Sequence, residues 1–457
     1  MGAPAQPPEG GAAPPVQDAA RRDGFAASAD GPLEWAVAGV PIAAFTGGNA
    51  VRLLQGGAEL FPAIRAAIAD ARQEVWFATY IFHDDGAGRL MAEALAAAAR
   101  RGVAVHVVTD GFGSMATLAR LRQWWHGAPV RLEVFRPLDR WWHWLQPGHL
   151  RRLHHKLCVV DESVAFVSGI NIIDDCNDLQ HGWSDRPRLD FAVELRGPLA
   201  LPVRQAARAM WARAQLGHGW RGELRALAHS GQPVRETLAL LRSLRASRRD
   251  AALTDAGSGS VAASLQPVLA AFVVRDNLRQ RRAIERSYIE GMRGARRRID
   301  IVCPYFYPGR AFRRTLRQAA RRGVSVRLLL QGKIDYRFAA LAAQVLYDEM
   351  RGYGVRIFEY TPAFLHAKVA LVDDDWATVG SSNIDPLSLL LNLEANVVVD
   401  DVGFNAALAT RLEAAFADST EVTSNLVPPG WRRWIRRGFV AWCATLYLRL
   451  AGVVGRY

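Results

Sequence analysis

The chain has little cysteine, and its few cysteines are scattered. Its 457 residues include only Cys158, Cys176, Cys303 and Cys443, and none of them forms a Cys-x-x-Cys pair. We therefore expect neither a disulfide framework nor a zinc site, and a reducing compartment suits the chain. Cys158 and Cys303 lie in apolar, strand-like segments, where a thiol acts as a small buried hydrophobe.

Long apolar stretches are also absent. No run reaches the roughly 18–20 apolar residues that cross a bilayer. The opening MGAPAQPPEGGAAPPVQDAARRDG has no apolar centre, so we expect no secretory signal. Because this opening is rich in Pro, Gly and Ala, we predict a disordered tail over residues 1–30.

Acidic residues are too few to balance the basic ones. Lys plus Arg number 57 and Asp plus Glu number 44, which gives a formal net charge of +13. This excess favours an anionic partner, either a nucleic acid or an anionic membrane surface. Half of the residues are hydrophobic, so the chain can bury the cores of two to three domains.

One motif is present twice. Residues 154–171 read HHKLCVVDESVAFVSGIN and residues 366–383 read HAKVALVDDDWATVGSSN, with equivalent positions 212 residues apart. The similarity extends upstream, since AARRGVAVHVVTDG (98–111) parallels AARRGVSVRLLLQG (319–332). Self-similarity on this scale predicts two copies of one supersecondary block. A single copy could be a core strand with a polar end, but chance does not explain two.

Each copy brings a histidine, a lysine and an asparagine to one end of a predicted hairpin. Side chains alternate along a strand, so His366 and Lys368 lie on one face, and the returning strand brings Asn383 back to them. The equivalent residues of the first copy are His154, Lys156 and Asn171. This combination suits a phosphate, because lysine supplies charge, asparagine donates hydrogen bonds, and histidine attacks phosphorus or transfers protons.

Predicted strands and helices alternate in both halves of the chain. This alternation predicts an α/β fold of two pseudo-symmetric domains, each with a mixed β-sheet flanked by helices, that share one active-site cleft. We place the first domain at 31–217, a linker with a short helix at 218–262, and the second domain at 263–420.

The paired His-x-Lys-x4-Asp elements, each followed by a Gly/Ser-x-Asn group, resemble the phospholipase D superfamily over residues 45–420. The surroundings RRLHHKLCVVDESVAFVSGIN and SSNIDPLSLLLNLEANVVV resemble most its bacterial cardiolipin synthase branch. The resemblance implies a phosphatidyltransferase. It would pass a phosphatidyl group from phosphatidylglycerol, through a covalent phosphohistidine, to a second phosphatidylglycerol or another lipid alcohol.

The resemblance and the residue chemistry together assign roles. His154 is expected to be the nucleophile and His366 the general acid and base, although the two could be exchanged. The residues expected to hold the phosphate are Lys156, Lys368, Asn171, Asn383 and Ser381. Two lysines supply the positive charge, so we expect no metal and no other cofactor.

Carboxylates are expected to orient the two histidines. The candidates are Glu394 for the second half and Asp190 for the first half. Asp161 and Asp373 complete the two catalytic motifs, but each comes at a strand end, so we expect them to hold turns or pair with nearby bases.

Two positions depart from a simple repeat of the motif. His155 adjoins His154 and points to the opposite face of a strand, so we expect it to pack rather than to catalyse. The first motif has Gly169 where the second has Ser381, which indicates unequal roles for the two halves.

Two aromatic and basic segments suggest contact with a membrane. Trp141, Trp142 and Trp144 stand among arginines just before the first motif, and the chain ends WRRWIRRGFVAWCATLYLRLAGVVGRY. We predict that residues 421–457 form a basic amphipathic segment in the headgroup region, which implies a peripheral protein on the cytoplasmic side of the membrane. The alternatives are tryptophans that cap the core and a C-terminal helix docked on the protein itself.

Three other functions compete with phosphatidyl transfer. A hydrolase that releases phosphatidic acid would use the same residues with water as the acceptor. A nuclease of the same superfamily is favoured by the net charge but disfavoured by the apolar C-terminal run, so no nucleic acid partner is expected. A non-catalytic membrane-binding protein would not need two complete motifs. The sequence leaves the oligomeric state open.

Overall fold

A computed structural model describes residues 44–138, 151–179, 181–229, 268–275, 280–333, 346–390 and 392–423. All of them lie within one compact unit, Ile42–Tyr457. The predicted tail, the three tryptophans, residues 230–262 of the predicted linker and the segment from 424 onward lie outside the described residues. In the described part of the chain, no helix has both the length and the apolar character needed to cross a membrane.

The first half has nine strands and four helices among its described residues. The strands are β1 (Thr46–Gln55), β2 (Glu74–Thr79), β3 (Ala104–Asp110), β4 (Arg131–Phe135), β5 (Leu157–Val160), β6 (Val164–Ser168), β7 (Asn177–Asp178), β8 (Gly182–Trp183) and β9 (Phe191–Arg196). The helices are α1 (Gly56–Asp70), α2 (Gly86–Arg100), α3 (Leu118–Trp124) and α4 (Ala200–His229). Helix α4 runs into the predicted linker, whose first twelve residues are therefore helical.

The second half repeats this order. Its strands are β10 (Val268–Arg275), β11 (Arg298–Val302), β12 (Ser325–Gln331), β13 (Arg356–Tyr360), β14 (Val369–Val372), β15 (Trp376–Gly380), β16 (Glu394–Asp400) and β17 (Ser419–Glu421). Its described helices are α5 (Ala283–Arg293), α6 (Arg310–Arg321), α7 (Pro386–Leu390) and α8 (Val402–Ala417).

One mixed sheet runs through both halves. The strand order in the described residues is β17-β13-β12-β11-β14-β15-β16-β10-β1-β9-β6-β5-β2-β3-β4. Strands β2, β3 and β4 are parallel, as are β11, β12 and β13, whereas the motif hairpins β5–β6 and β14–β15 are antiparallel. The two halves meet where β1 pairs antiparallel with β10. The predicted α/β fold with two similar halves is confirmed.

The largest hydrophobic core is shared by the two halves. It contains Val167 and Val193 of the first half and Val379 and Val397 of the second, all at or near zero exposure. Strands β5 (LCVV) and β14 (VALV) are buried along their whole length, which is why they read as continuous apolar runs rather than as alternating ones. The shared core fixes the position of one motif hairpin relative to the other.

Each motif hairpin turns at its aspartate. Asp161 and Asp373 adopt left-handed backbone angles, with φ of 48° and 53°. The Asp161 carboxylate accepts hydrogen bonds from the backbone amides of Arg72, Gln73 and Glu74 at 2.7–2.9 Å. These aspartates therefore fasten the turn to the start of the neighbouring strand. They hold backbone amides rather than basic side chains.

Candidate active site

The two motif histidines are each held by a carboxylate from the opposite half. His154 Nδ1 lies 2.9 Å from Glu394 Oε2, and His366 Nδ1 lies 2.6 Å from Asp190 Oδ2. Both predicted carboxylates orient a histidine, but each belongs to the half opposite to its histidine, so the predicted pairing within one half is wrong. Neither histidine is fully oriented without the other half of the chain.

Backbone contacts between the halves produce this exchange. The amide of His154 donates to the carbonyl of Leu393 at 3.0 Å, and the amide of His366 donates to the carbonyl of Leu189 at 2.9 Å. Each leucine immediately precedes the orienting carboxylate. The bridge therefore places that carboxylate beside the histidine of the other half.

Two buried lysines lie in the same cluster. Lys156 and Lys368 are 4% and 1% exposed, and each Nζ donates to the backbone carbonyl of the histidine two residues before it. Burial is the largest cause that lowers their pKa values, to about 7 for Lys156 and about 8 for Lys368. Two cations share a dry site here, and an anion that enters between them would be strongly favoured.

The two asparagines flank this cluster and are nearly buried. Asn171 Oδ1 accepts a hydrogen bond from the amide of Ile81 at 3.3 Å. Asn383 Oδ1 is buried and makes no hydrogen bond within the described residues. The structure thus brings together four residues predicted to act on the phosphate: His154, Lys156, His366 and Lys368. The predicted asparagines Asn171 and Asn383 each come three residues after the position that bonds to the lysine of its own motif, Ser168 and Gly380.

Ser381 does not fit its predicted role as a phosphate ligand. Its hydroxyl is fully buried and donates to Glu394 Oε2 at 2.6 Å, while the amide of Ala395 donates to the same hydroxyl oxygen at 3.1 Å. Instead of binding the phosphate as predicted, this serine supports the carboxylate that orients His154.

Steric crowding explains why the first motif has a glycine, Gly169, at the position equivalent to Ser381. A Cβ at Gly169 would overlap with Asp190 Oδ1 and come within 3.0 Å of Asp190 Cγ. Asp190 is one methylene shorter than Glu394, so its carboxylate lies closer to the hairpin, and only a glycine leaves room for it.

The two carboxylates consequently differ in charge behaviour. Burial raises the pKa of Asp190 to about 7, although Lys368 opposes this shift. Burial also acts to raise the pKa of Glu394, but the charges of His154 and Lys156 and the Ser381 hydrogen bond lower it overall. Glu394 is therefore ionised at neutral pH, whereas Asp190 takes up a proton near neutral pH.

Burial lowers the pKa of all three histidines in this region. It lowers that of His366 well below its ordinary value, and Lys368 and Arg188 add to the effect. It also lowers that of His154, where Glu394 opposes the shift. His155 is fully buried, with a pKa lowered to about 4, and so it packs in the core in neutral form, as predicted.

Asp161 and Asp373 lie away from this cluster. Each follows the four-residue strand that its lysine precedes, so five residue steps of 3.3 Å separate them by about 16 Å. Their carboxylates bind backbone amides of the turns. The two aspartates therefore do not belong to the catalytic cluster, although their motifs suggested it. As also expected, they hold the turns of the hairpins.

Two residues of the site were missed in the sequence. The Tyr80 ring centroid is 5.1 Å from that of His154, and Lys156 Nζ is 5.5 Å from the same tyrosine ring. Arg188 acts electrostatically on His366 and Asp190. The repeat gave no signal for Tyr80, because its equivalent in the second half is Pro304. Within the described residues, no group of three or more His, Cys, Asp or Glu side chains could hold a metal ion.

The chain is similar to known proteins over most of its length. The family described as "Cardiolipin synthase, PLD-like domain" matches residues 64–181 and 288–418. Cardiolipin synthase B of Escherichia coli K12 is 34% identical over 398 residues, which cover 85% of each chain. Cardiolipin synthase A of Pseudomonas putida F1 is 30% identical over 380 residues, covering 82% of this chain and 70% of the relative.

A solved structure shares the fold. The chain of phosphatidylserine synthase from Haemophilus influenzae Rd KW20 matches with a TM-score of 0.58 at 14% identity, covering 88% of this chain and 95% of that one. At this identity the match shows the fold alone.

Proposed function

We propose a reaction for this chain from one premise: it belongs to the cardiolipin synthase family of the phospholipase D superfamily. The reaction is phosphatidyl transfer, in which the phosphatidyl group of phosphatidylglycerol passes to the hydroxyl of a second phospholipid. The products are cardiolipin and glycerol.

The observation that carries this proposal is the reciprocal pair of histidine–carboxylate contacts around two buried lysines. Because a carboxylate binds Nδ1 of each histidine, Nε2 is the ring nitrogen left for chemistry. Two such nitrogens beside two cations suit a phosphodiester that is attacked on one side and protonated on the other.

The first step forms a phosphohistidine. His154 Nε2 attacks phosphorus, the bond from phosphorus to the glycerol oxygen breaks, and His366 gives its Nε2 proton to the departing alkoxide. Lys156, Lys368 and the two asparagines hold the non-bridging oxygens and stabilise the charge of the transition state. In the second step His366 takes the proton of the acceptor hydroxyl, whose oxygen attacks phosphorus and releases His154.

The unequal carboxylates support this division of roles. The His154 ring gains positive charge as it attacks, and an ionised Glu394 stabilises that charge. The Asp190–His366 pair instead takes up one proton near neutral pH, since burial raises the pKa of Asp190 to about 7, and an acid that becomes a base needs such a proton.

Phospholipid substrates place the protein at a membrane. We propose peripheral binding on the cytoplasmic side through residues 421–457, whose arginines and tryptophans suit an anionic headgroup region. Removal of residues 431–457 should abolish sedimentation with phosphatidylglycerol liposomes, and a truncated chain that still sediments would contradict this mode of binding.

Lipid product analysis tests the reaction. The full chain is incubated with phosphatidylglycerol liposomes in EDTA, beside His154→Ala, His366→Ala and the exposed-surface control His126→Ala. We expect cardiolipin and free glycerol from the wild type and the control, and a loss of at least about 1000-fold in the two active-site variants.

Other products would point to the alternatives. Phosphatidic acid in place of cardiolipin would mean that water resolves the intermediate and that the enzyme is a hydrolase. Cleavage of DNA but of no phospholipid would indicate a nuclease. Unchanged products in both histidine variants would contradict catalysis by this site.

The division between the histidines has its own readout. With phosphatidylglycerol carrying labelled acyl chains, His366→Ala should retain label on His154, because attack is still possible while the alcohol-activating base is lost. Label on His366 in the His154→Ala variant would exchange the two roles.

A further inference from the structure

The surroundings of the two histidines are not symmetric. Arg151 and Arg152 come just before the first motif, where the second half has Ala363 and Phe364. A third arginine, Arg136, directly follows β4, and the position that follows β13 in the second half is a threonine. The three arginines thus have no counterparts at the equivalent positions of the second half, where Lys333 and Arg188 lie nearby instead.

The three arginines form one connected group. Arg136 Nη1 donates to the carbonyl of Arg151 at 2.8 Å, and Arg152 Nη1 donates to the carbonyl of Arg136 at 3.1 Å. Arg136 adopts a left-handed φ of 50°, which is uncommon for any residue other than glycine. The surrounding structure therefore holds this arginine in a specific, mildly strained position.

The carboxylate of Asp110 faces this group. Arg152 Nη1 lies 3.7 Å from Asp110 Oδ1, but the carboxylate of Asp110 also accepts hydrogen bonds from the amides of Phe112 and Leu153 at 2.8 and 2.9 Å. Arg151 Nε is buried and makes no hydrogen bond within the described residues.

The surroundings of Arg136 disfavour its positive charge. Burial, followed by the charges of Arg151 and Arg152, lowers the pKa of Arg136 to about 10, and Asp110 only partly opposes this. Guanidinium groups held together out of water favour a bound anion, and their planar forks match the oxygens of a phosphate.

The position of the group relative to the reaction centre suggests which phosphate it binds. Arg152 is two residues before His154, a chain distance of at most about 7 Å. The carbonyl of Arg152 also accepts from the amide of Leu393 at 2.9 Å, so the segment is fixed to the same junction of the two halves. Cardiolipin holds its two phosphates at either end of a three-carbon bridge.

We propose that Arg136, Arg151 and Arg152 form a second phosphate site, which binds the phosphate of the acceptor phospholipid while the lysines hold the phosphate under attack. This inference rests on the proposed transfer reaction. It makes the side of the site that holds these three arginines the acceptor side, and it explains why they have no counterparts beside the second motif.

A comparison of two acceptor alcohols distinguishes binding of the acceptor phosphate from a general structural role of the three arginines. A second phosphatidylglycerol carries a phosphate, whereas free glycerol does not, and both resolve the same phosphatidyl-enzyme. Formation of cardiolipin therefore reports on the acceptor phosphate, and incorporation of labelled glycerol into phosphatidylglycerol reports on the chemistry without it. Both rates are measured with the full chain on phosphatidylglycerol liposomes.

The principal variant is Arg151→Gln, because this side chain donates no hydrogen bond to any residue that the structure describes. We expect cardiolipin formation to fall about 10- to 100-fold, the effect of losing charge-assisted hydrogen bonds to one phosphate, while glycerol incorporation keeps most of its rate. Arg136→Gln should show the same selective loss. Arg151→Lys should recover part of the rate, since lysine keeps the charge but not the fork.

The control is Arg314→Gln, which removes the same charge from an exposed position on α6 and should leave both rates as in the wild type. An equal fall of both rates in Arg151→Gln would overturn the acceptor site, and so would unchanged cardiolipin formation. If the wild type releases phosphatidic acid and makes neither transfer product, the proposed function itself fails.

Discussion

Single residues make the two histidines of this site unequal. Ser381 donates a hydrogen bond to Glu394, and that carboxylate stays ionised beside His154. Asp190 has a glycine in place of such a serine, and burial raises its pKa to about 7. A hydroxymethyl group and a methylene thus separate a carboxylate that stabilises charge from one that takes up a proton near neutral pH.

Gly169→Ser tests this steric argument. The new Cβ would overlap with Asp190 Oδ1 and displace the carboxylate from His366, so we expect the rate of cardiolipin formation to fall about 10- to 100-fold. The free energy of unfolding should fall by about 1–3 kcal/mol from overpacking. Activity assays and denaturant unfolding check the two effects.

Gly86→Ser is the matched control, because a Cβ there meets nothing within 4 Å. It should behave as the wild type in both measurements. A fully active Gly169→Ser would show that Asp190 has room to move and that the absence of a hydroxyl has another cause.

At the scale of elements, turns fastened by a carboxylate hold the motif hairpins. The amides of Arg296, Arg297 and Arg298 donate to the Asp373 carboxylate at 2.8–3.2 Å. Burial acts to raise the pKa of this group, but these backbone hydrogen bonds lower it overall. The motif aspartates therefore serve the hairpins, and the hairpins in turn position the histidines and lysines.

Asp373→Asn should weaken the fold without changing the chemistry. Asparagine also tolerates the left-handed backbone, but its NH₂ group cannot accept from the amides, so we expect the free energy of unfolding to fall by about 1–3 kcal/mol. The turnover of the folded enzyme should stay within about twofold of the wild type, because Asp373 lies away from the catalytic cluster. A tenfold change would need a loss of about 1.4 kcal/mol in transition-state stabilisation. Denaturant unfolding and lipid assays measure both.

The neighbouring Asp374→Asn gives the comparison. Asp374 pairs with Arg297 at an exposed position, where an ion pair contributes at most about 1 kcal/mol. A large loss of turnover in Asp373→Asn at full folding would return this aspartate to the catalytic set.

The elements themselves were largely readable in the sequence, because buried central strands such as β5 and β14 are continuous apolar runs. Strand β1 was missed: its sequence TGGNAVRLLQ has two glycines and mixed polarity, and it exists by pairing with β9 and β10. The short β7–β8 hairpin was missed for a similar reason, since two-residue strands have no periodicity to detect.

At the scale of the whole molecule, the sequence predicted that the two halves share one cleft. It did not predict which half supplies the carboxylate that orients each histidine. The spacing from Asn383 to Glu394 places the carboxylate near its own motif along the chain, whereas the backbone bridges at Leu189 and Leu393 exchange the carboxylates between halves. Sequence distance carries no information on such an exchange, because it depends on how the two halves dock. Doubling of the motif is therefore a structural requirement of the site.

Docking of the halves also buries two lysines together, and this gives the molecule a distinct pH dependence. Burial lowers the pKa of Lys156 from 10.5 to about 7. Between about pH 7 and pH 10.5, this lysine binds fewer protons in the folded chain than in the unfolded chain. The free energy of unfolding therefore increases as the pH rises through this range. Below about pH 7 the contribution is constant, because both states hold the proton.

Lys156→Met isolates this contribution. We expect the variant to exceed the wild type in free energy of unfolding most at pH 6–7, and the difference to shrink by up to about 1.4 kcal/mol per pH unit between pH 8 and 10. Urea unfolding of both proteins across this range measures the difference, in which the titrating groups that do not interact with Lys156 cancel. A difference independent of pH would mean that Lys156 keeps its ordinary pKa. The two halves would then leave the site open enough for water to solvate the ammonium, and water could compete with a lipid alcohol for the phosphohistidine.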